Sequence, residues 1–519
     1  MFVLKSQRKF PKSPRTHGFT AQLAMLTLFN LLLGCTTLQP LNLPEETALP
    51  QAEGQLWTKL AAQRPEDWFH ILNDGQEAIE WRLRIIDSAT QALDLQTFLW
   101  KEDPTGLRVL RHILQAADRD IRVRILIDDT FTVNEDSMLA AINQHPNIAC
   151  RIYNPFKRRY DSIVLRQFMN LGEFTRLNHR MHNKILIVDN RAGIIGGRNL
   201  ADEYFGNHAT SNFRDMEVLT SGPAVQSISR NFDRYWNSDW SFPVEQVLAQ
   251  SPSGKDLDTF RIWLQESADS NPVEDPATRN KSWYSVSKTA IPAKAALFSD
   301  EPARKNPAAP EEFPTQLARQ LNSWIETAEQ ELILVSAYLI PTPELEEAIE
   351  RAEKRGVQVR ILTNSLQSNN HTAAHSAYRH HIKRLIGHGA DLHEVRARAK
   401  DRLLYMQSPI ADKDLGLHAK ILLIDDDLVF IGSTNLDPRS LHLNAEVGLL
   451  IQSTAFNQML RRQLAIDFDR RNAWHLQASP DGGIIWVGDD MILNSQPAKS
   501  GFQLLEDWFL SILPIEQEM

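Results

Sequence analysis

Two histidines, each followed two residues later by a lysine, carry the chemistry of this sequence. His182 and Lys184 stand in Met181-His182-Asn183-Lys184-Ile185-Leu186-Ile187-Val188-Asp189, and His418 and Lys420 in Leu417-His418-Ala419-Lys420-Ile421-Leu422-Leu423-Ile424-Asp425. Each copy reads His-x-Lys, four residues, then Asp, and all three polar positions recur at an offset of 236 (418 − 182, 420 − 184, 425 − 189). One copy alone would be ordinary, because polar residues at a strand end are usually solvated. Solvation does not explain a recurrence in register. An imidazole with an unperturbed pKa of about 6.5 serves as a nucleophile when neutral and as a proton donor when charged. A lysine holds anionic oxygens as a point charge. Two of each meet the needs of substitution at an anionic phosphodiester. One imidazole attacks phosphorus, the other protonates the leaving alcohol and then deprotonates the incoming one, and the lysines hold the non-bridging oxygens. On this reading no cofactor and no metal are required.

Supporting groups follow each motif. Gly196-Gly197-Arg198-Asn199 and Gly432-Ser433-Thr434-Asn435 combine small residues, which permit close backbone approach, with Asn199 and Asn435 as neutral donors. A carboxylate on the far ring nitrogen of each histidine would fix its tautomer and orientation. Candidates lie in Asp215-Met216-Glu217-Val218 and Asn444-Ala445-Glu446-Val447. Glu217 and Glu446 are favoured because both copies keep Glu there. Asp189 and Asp425 complete the motifs and end their strands, where they brace the motif rather than touch substrate.

The elements that position these groups can be read from periodicity. His and Lys two apart share a face of an extended strand, and the apolar, largely β-branched run after each lysine reads as a strand buried on both faces. Upstream, a helical pattern over 78–92, an alternating strand over 93–100, an amphipathic helix over 106–118 and a strand over 123–127 make a βαβ unit. A strand over 332–339, a helix over 343–355 and a strand over 357–362 repeat it. Val123-Arg124-Ile125-Leu126 and Val359-Arg360-Ile361-Leu362 again lie 236 apart. The fold expected is therefore α/β, two duplicated domains, each a mixed sheet flanked by helices, facing each other across a pseudo-twofold axis. The domains are placed at 56–285 and 286–519, with a proline-rich boundary region between Asn271 and Pro314.

The paired motifs resemble those of the phospholipase D superfamily. From about Trp57 to the C-terminus the chain is similar to the bacterial cardiolipin synthases within it. Further matching stretches are Arg180 to Lys184, Gly196 to Asn199, Ile361-Leu362-Thr363-Asn364-Ser365, Asn435-Leu436-Asp437-Pro438-Arg439-Ser440 and Ser511-Ile512-Leu513-Pro514. The resemblance implies phosphatidyl transfer through a phosphohistidine, with His182 as nucleophile, His418 as acid and base, and phospholipids as partners. Phosphatidylglycerol leads among these, with phosphatidylethanolamine as a second candidate. Hydrolysis to phosphatidic acid is the nearest alternative and a nuclease of the same superfamily the next. The motifs specify phosphodiester transfer much more tightly than they specify the acceptor.

Composition bears on these choices. The 519 residues suffice for two full cores. Residues 1–34 hold five Lys and Arg and no acid, leaving 51 basic against 65 acidic residues, a balance of −14. Non-specific nucleic-acid binding rests on cationic charge, so no nucleic-acid partner is expected. Lys5, Arg8, Lys9, Lys12 and Arg15 precede the apolar run 21–33, which is short for a membrane span and has the size of a signal-peptide core. It ends Leu31-Leu32-Leu33-Gly34-Cys35, which resembles a lipoprotein cleavage box. The expectation is a signal peptide over 1–34, lipidation at Cys35, a flexible spacer over 35–55, and a body tethered to a membrane surface in the bacterial cell envelope, facing the periplasm. Many cardiolipin synthases instead carry two membrane spans at this end. Cys150 is expected in the core. The basic, aromatic stretch 154–160 could meet a headgroup or be a solvated loop. His371, His375, His380, His381 and His388 suggest a solvated helix with one His near the groove. Near the end, Phe502, Leu505, Phe509 and Ile512 recur at helical spacing; this face could lie in a membrane interface, but without Lys or Arg it is expected to pack against the second domain.

Overall fold

The computed structural model describes residues 43–248, 256–267, 274–302 and 315–513. Among the described residues the chain builds two large mixed sheets. The first runs Ile291–Pro292, Trp68–Leu72, Glu217–Ser221, Ala192–Gly196, Ile185–Val188, Ala92–Thr97, Arg122–Asp128, Ile148–Tyr153, Ser241–Pro243. The second runs Lys294–Ser299, Val447–Gln452, Leu428–Gly432, Ile421–Ile424, Glu331–Val335, Gln358–Asn364, Asp391–Val395, Ala473–Ala478, Ile484–Val487, Ile492–Leu493. From Trp68–Leu72 to Ser241–Pro243, and from Lys294–Ser299 to Ala473–Ala478, order and direction are the same. Three neighbouring strands are parallel in each sheet and the remainder antiparallel. The duplication is thus visible strand by strand.

The crossover helices form where the sequence signals them. Helix Pro104–Ala117 begins with Pro at its first position, where a missing N–H costs nothing, and Asp103 caps it by accepting from Gly106 N (2.9 Å). Helix Pro343–Lys354 repeats the device with Pro343 and Thr342. These helices cover the outer faces and close two apolar layers, one around Leu110, Ile113 and Ile125, the other around Ile349, Ile361 and Leu392. The inner faces share one layer. Ile185, Ile187 and Val218 of the first sheet lie with Ile421, Leu423 and Leu449 of the second, joined by Phe232 and Phe456 from helices Ala224–Trp236 and Thr454–Asp467. Burying apolar surface from both halves in one core makes the relative placement of the sheets part of the fold.

Two boundaries differ from expectation. Helix Pro276–Thr289 packs Trp283 against Trp57, Trp68 and Trp81, with ring centroids 5.1–6.4 Å apart, and Ile291–Pro292 pairs with Trp68–Leu72. The halves therefore divide at Ala293 rather than at 286, because Val286 and Ala290 at the end of this helix lie in the first core and Ile291–Pro292 extends the first sheet. The expected flexible spacer is not free over 43–54. Glu46 N donates to Asn237 Oδ1 (3.0 Å), Ala48 N to Asp233 Oδ2 (2.8 Å) and Ala52 N to Asp189 O (3.1 Å), so this stretch lies extended along the first half. Cys35 and the rest of 1–42 lie outside the described residues. Among the described residues no helix is long and apolar enough to cross a membrane.

Candidate active site

Each catalytic motif begins where the chain leaves its own sheet and pairs with the other half. Met181 bridges Ala445 in parallel, with Ala445 N donating to Arg180 O (2.7 Å) and His182 N to Ala445 O (2.8 Å). Leu417 pairs in parallel with Arg214, and His418 N donates to Arg214 O (2.8 Å). The residues that follow these pairs then lie side by side. They are His182 with Glu446, and His418 with Asp215. His182 Nδ1 lies 2.9 and 3.0 Å from the two carboxylate oxygens of Glu446, and His418 Nδ1 lies 2.7 Å from Asp215 Oδ2. Each histidine is thus oriented by a carboxylate from the opposite half. With Nδ1 held as the donor, Nε2 is the ring nitrogen left for chemistry.

Glu217 does not hold His418, contrary to the sequence expectation. Its carboxylate takes two hydrogen bonds from Arg82, one of 2.7 Å from Nη1, and one of 3.3 Å from Arg198. The reason is register. Gly196 pairs with Glu217, and its counterpart Gly432 pairs with Gly448. The offset between halves is therefore 231 at this point (448 − 217), and 446 − 231 is 215. Asp215 is the counterpart of Glu446, and Glu217 lies one strand alternation further on, in a buried ion-pair cluster. Gly197 accommodates Asp215: a Cβ there would lie 2.5 Å from Asp215 Oδ1.

The remaining motif residues divide between the site and its frame. Lys184 and Lys420 are buried, and each Nζ donates to the carbonyl of its own motif histidine (2.5 Å for Lys184). Asn199 and Asn435 line the cavity beside the histidines, and each Oδ1 is buried without a hydrogen bond; Asn199 Nδ2 donates to Tyr204 Oη (2.9 Å). Asp189 and Asp425 are structural. Asp189 accepts from Trp57 Nε1 (2.7 Å), Thr90 Oγ1 (2.7 Å) and the amides of Thr90, Gln91 and Ala92 (2.8–3.0 Å). Asp425 accepts from the amides of Glu329, Gln330 and Glu331. Each thereby pins the entry of the strand beside its own motif.

A cavity of about 900 Å³ opens onto both histidines. Phe98 stands edge-on to His182 (4.8 Å) and Tyr204 edge-on to His418 (4.9 Å), and Phe131, Phe168, Phe174 and Tyr338 extend an apolar wall. Burial holds both imidazoles well below the ordinary histidine range, and the two lysines push them further down. Burial also lowers Lys184 strongly and brings Lys420 to about 8. It raises Asp215, and raises Glu446 to about 7. A site of this kind gains charge when an anion enters, because a phosphate oxygen favours the protonated form of every nearby nitrogen base.

Other expected residues fall as follows. Cys150 is buried in the first core. In the stretch 154–160, Phe156 forms part of the cavity wall, while Arg159 is buried against Asp129 (2.7 Å) and Asp136. The histidine-rich segment is not a solvated helix: His375 is fully buried and paired with Asp507 Oδ1 (2.9 Å), and His371 lines the cavity. The helix Gly501–Leu510 docks through Asp507, and its apolar residues stay exposed instead of packing on the second half. Asp391, His393 and His475 are the group close enough to hold a metal ion among the described residues, and none of them lines the catalytic cavity.

Two like halves that exchange carboxylates across a paired His-x-Lys site define a phospholipase D-type enzyme. The chain belongs to the family described as cardiolipin synthase, PLD-like domain, whose model matches residues 83–236 and 321–467. It is 33% identical to cardiolipin synthase C of Escherichia coli (strain K12) over 456 residues, covering 86% of this chain and 94% of that protein. It is 26% identical to cardiolipin synthase B of Salmonella typhi over 404 residues, covering 77% and 80%. Among solved structures, phosphatidylserine synthase of Haemophilus influenzae Rd KW20 shares the fold, with a TM-score of 0.52 at 14% identity, covering 79% of this chain and 89% of that one.

Proposed function

We propose that this protein is a cardiolipin synthase that moves a phosphatidyl group through a phosphohistidine on His182. The observation that carries the proposal is the reciprocal clamp at Nδ1, His182 by Glu446 and His418 by Asp215, with both rings on one cavity. The same reciprocity supports an approximate twofold relation between the halves. Neutral His182 attacks phosphorus of the donor lipid through Nε2. The P–O bond to the leaving alcohol breaks as His418 gives that oxygen its proton. His418, now neutral, takes the proton of the incoming hydroxyl, whose oxygen attacks phosphorus and displaces His182. Glu446 orients the nucleophile and, as the carboxylate at Nδ1, offsets the positive charge on the ring while phosphorus is attached. Lys184 and Lys420 supply the fixed cationic field that meets charge growing on the non-bridging oxygens. The acid step needs a charged His418 although burial disfavours one. The phosphodiester anion supplies the compensation, so protonation and substrate binding are coupled.

The donor and acceptor assigned are phospholipids, with phosphatidylglycerol as the acceptor alcohol. The aromatic wall favours a lipid over water as the second reactant, since acyl chains seated against it would displace water from the covalent intermediate. Attachment to a bacterial envelope membrane through lipidated Cys35, on the periplasmic side, completes the proposal. To test the activity, purified protein is incubated with labelled phosphatidylglycerol, with and without phosphatidylethanolamine. Cardiolipin is the expected product, and phosphatidic acid alone would establish hydrolysis instead.

A further inference from the structure

The helix Gly501–Leu510 is mounted inside out for a helix bathed in water. Its polar side faces the protein. Asp507 is fully buried, accepts from Arg379 Nη1 (2.7 Å) and pairs with His375 Nδ1 (2.9 Å), and Gln503 Nε2 donates to Leu366 O (2.9 Å). The apolar side faces out: Phe502, Leu505, Trp508, Phe509 and, just beyond the helix, Ile512 are 54–75% exposed. Single exposed apolar residues are common on proteins, but a contiguous set held outward by a buried ion pair is not. A second apolar ridge lies at the cavity itself. Val164 and Phe168 of helix Ile163–Met169 are 72% and 56% exposed, and both line the cavity that holds the histidines.

One ridge lines the cavity and the other stands one helix away from it. Helix Thr372–Tyr378 packs directly on Gly501–Leu510, with Thr372 Oγ1 donating to Glu506 Oε2 (3.4 Å), and its flanking and inner residues His371 and Ala374 line the cavity wall. Exposed apolar residues therefore stand both at the cavity wall and on the helix next to it. We infer that these ridges seat in the headgroup and upper acyl region of a phospholipid bilayer and place the cavity mouth against it. This rests on the proposed lipid substrate only for the choice of occupant. Gly501–Leu510 contains no Lys or Arg, so its attachment is apolar and insensitive to salt, unlike that of basic interfacial helices.

The test uses the full chain on phosphatidylethanolamine/phosphatidylglycerol vesicles. An environment-sensitive fluorophore is attached at Phe509→Cys or, as a control on an exposed face of the second half, at Glu347→Cys, each compared with the parent chain labelled in the same way. Nitroxide-bearing acyl chains should quench the label at 509 and leave that at 347 unaffected, equally at low and high salt. A label at 509 that stays accessible to aqueous iodide on vesicles would overturn the inference. So would protection of 509 without vesicles together with a dimeric mass, which would assign the face to a second copy. Leu505→Ser with Trp508→Ser should lower turnover on vesicles about tenfold or more, because two apolar side chains no longer enter the bilayer, and leave turnover of a monomeric short-chain phospholipid unchanged. Loss of both activities would overturn the surface reading. Wild-type inactivity on every lipid would sink the proposed reaction and leave the quenching result standing.

Discussion

Asp215 and Glu217 lie two residues apart, both buried and both beside cations, yet they should fail in different ways when neutralised. Asp215→Asn keeps the shape and removes the charge at His418 Nδ1, where the carboxylate sits 2.7 Å from the ring. His418 then loses the partner that orients it and stabilises its charged form, and positioned proton transfer is worth about 10²–10⁴ in rate. The rate per folded molecule should fall by that order, with little change in melting temperature. Glu217→Gln leaves His418 untouched but strands Arg82 and Arg198, which are both buried against that carboxylate. Removing one partner of a buried ion pair costs on the order of 3–5 kcal/mol, and this should lower the melting temperature by several degrees while the folded fraction turns over nearly normally. Single-turnover kinetics, normalised to folded protein by near-ultraviolet circular dichroism, separates the two. The reasoning is refuted if Glu217→Gln abolishes turnover at unchanged stability while Asp215→Asn runs at a normal rate.

Three further outcomes are expected. Asp189→Ala should act on stability rather than chemistry, because it strips the partner from five donors around Thr90 and Trp57 at about 1–3 kcal/mol each. Asp189 has φ +56°, so Asp189→Asn should be milder in thermal unfolding than the alanine variant. The value of kcat/KM should fall as pH rises through about 8, where Lys420 loses its proton in the free enzyme and with it the charge that holds the phosphate; a profile flat to pH 9.5 (about 1.5 units beyond that point) would remove Lys420 from that role. His182→Ala and His418→Ala should each abolish turnover of natural lipid donors, and a near-normal rate in either would end the two-histidine mechanism.

The sequence carried a large part of this structure, for identifiable reasons. Motif spacing set His182 and His418 apart because the halves keep one offset from their parallel strands to Asp189 and Asp425. Ala78 to Leu126 could be read as a βαβ unit because its caps and apolar periods are local features. Residue type and strand register disagree at one of the carboxylate partners. The connection from Gly196 to Glu217 is five residues longer than its counterpart from Gly432 to Gly448 (236 − 231), so matching by residue type selected Glu217 where strand register selects Asp215. Only cross-strand pairing shows that shift, and pairing is not a local property. The orientation of the C-terminal helix is not legible in the sequence for a related reason. Periodicity reveals that Phe502, Leu505 and Phe509 share a face, but not which face is turned to the protein; the buried Asp507–His375 pair, spanning 132 residues, decides it. The boundary between the halves lies a few residues beyond 286 because Val286, Ala290 and Ile291–Pro292 belong to the first half through packing and strand pairing that no linker composition displays.

The central claim is that His182 carries the phosphatidyl group and His418 works the protons on either side of it. A donor lipid whose leaving group is p-nitrophenol does not need protonation to depart, so His418→Ala should still release one equivalent of p-nitrophenolate per active site and then stall. Mass spectrometry of the quenched protein should place one phosphatidyl adduct on His182. No burst, a burst that survives in His182→Ala, or an adduct on any other residue would contradict the account.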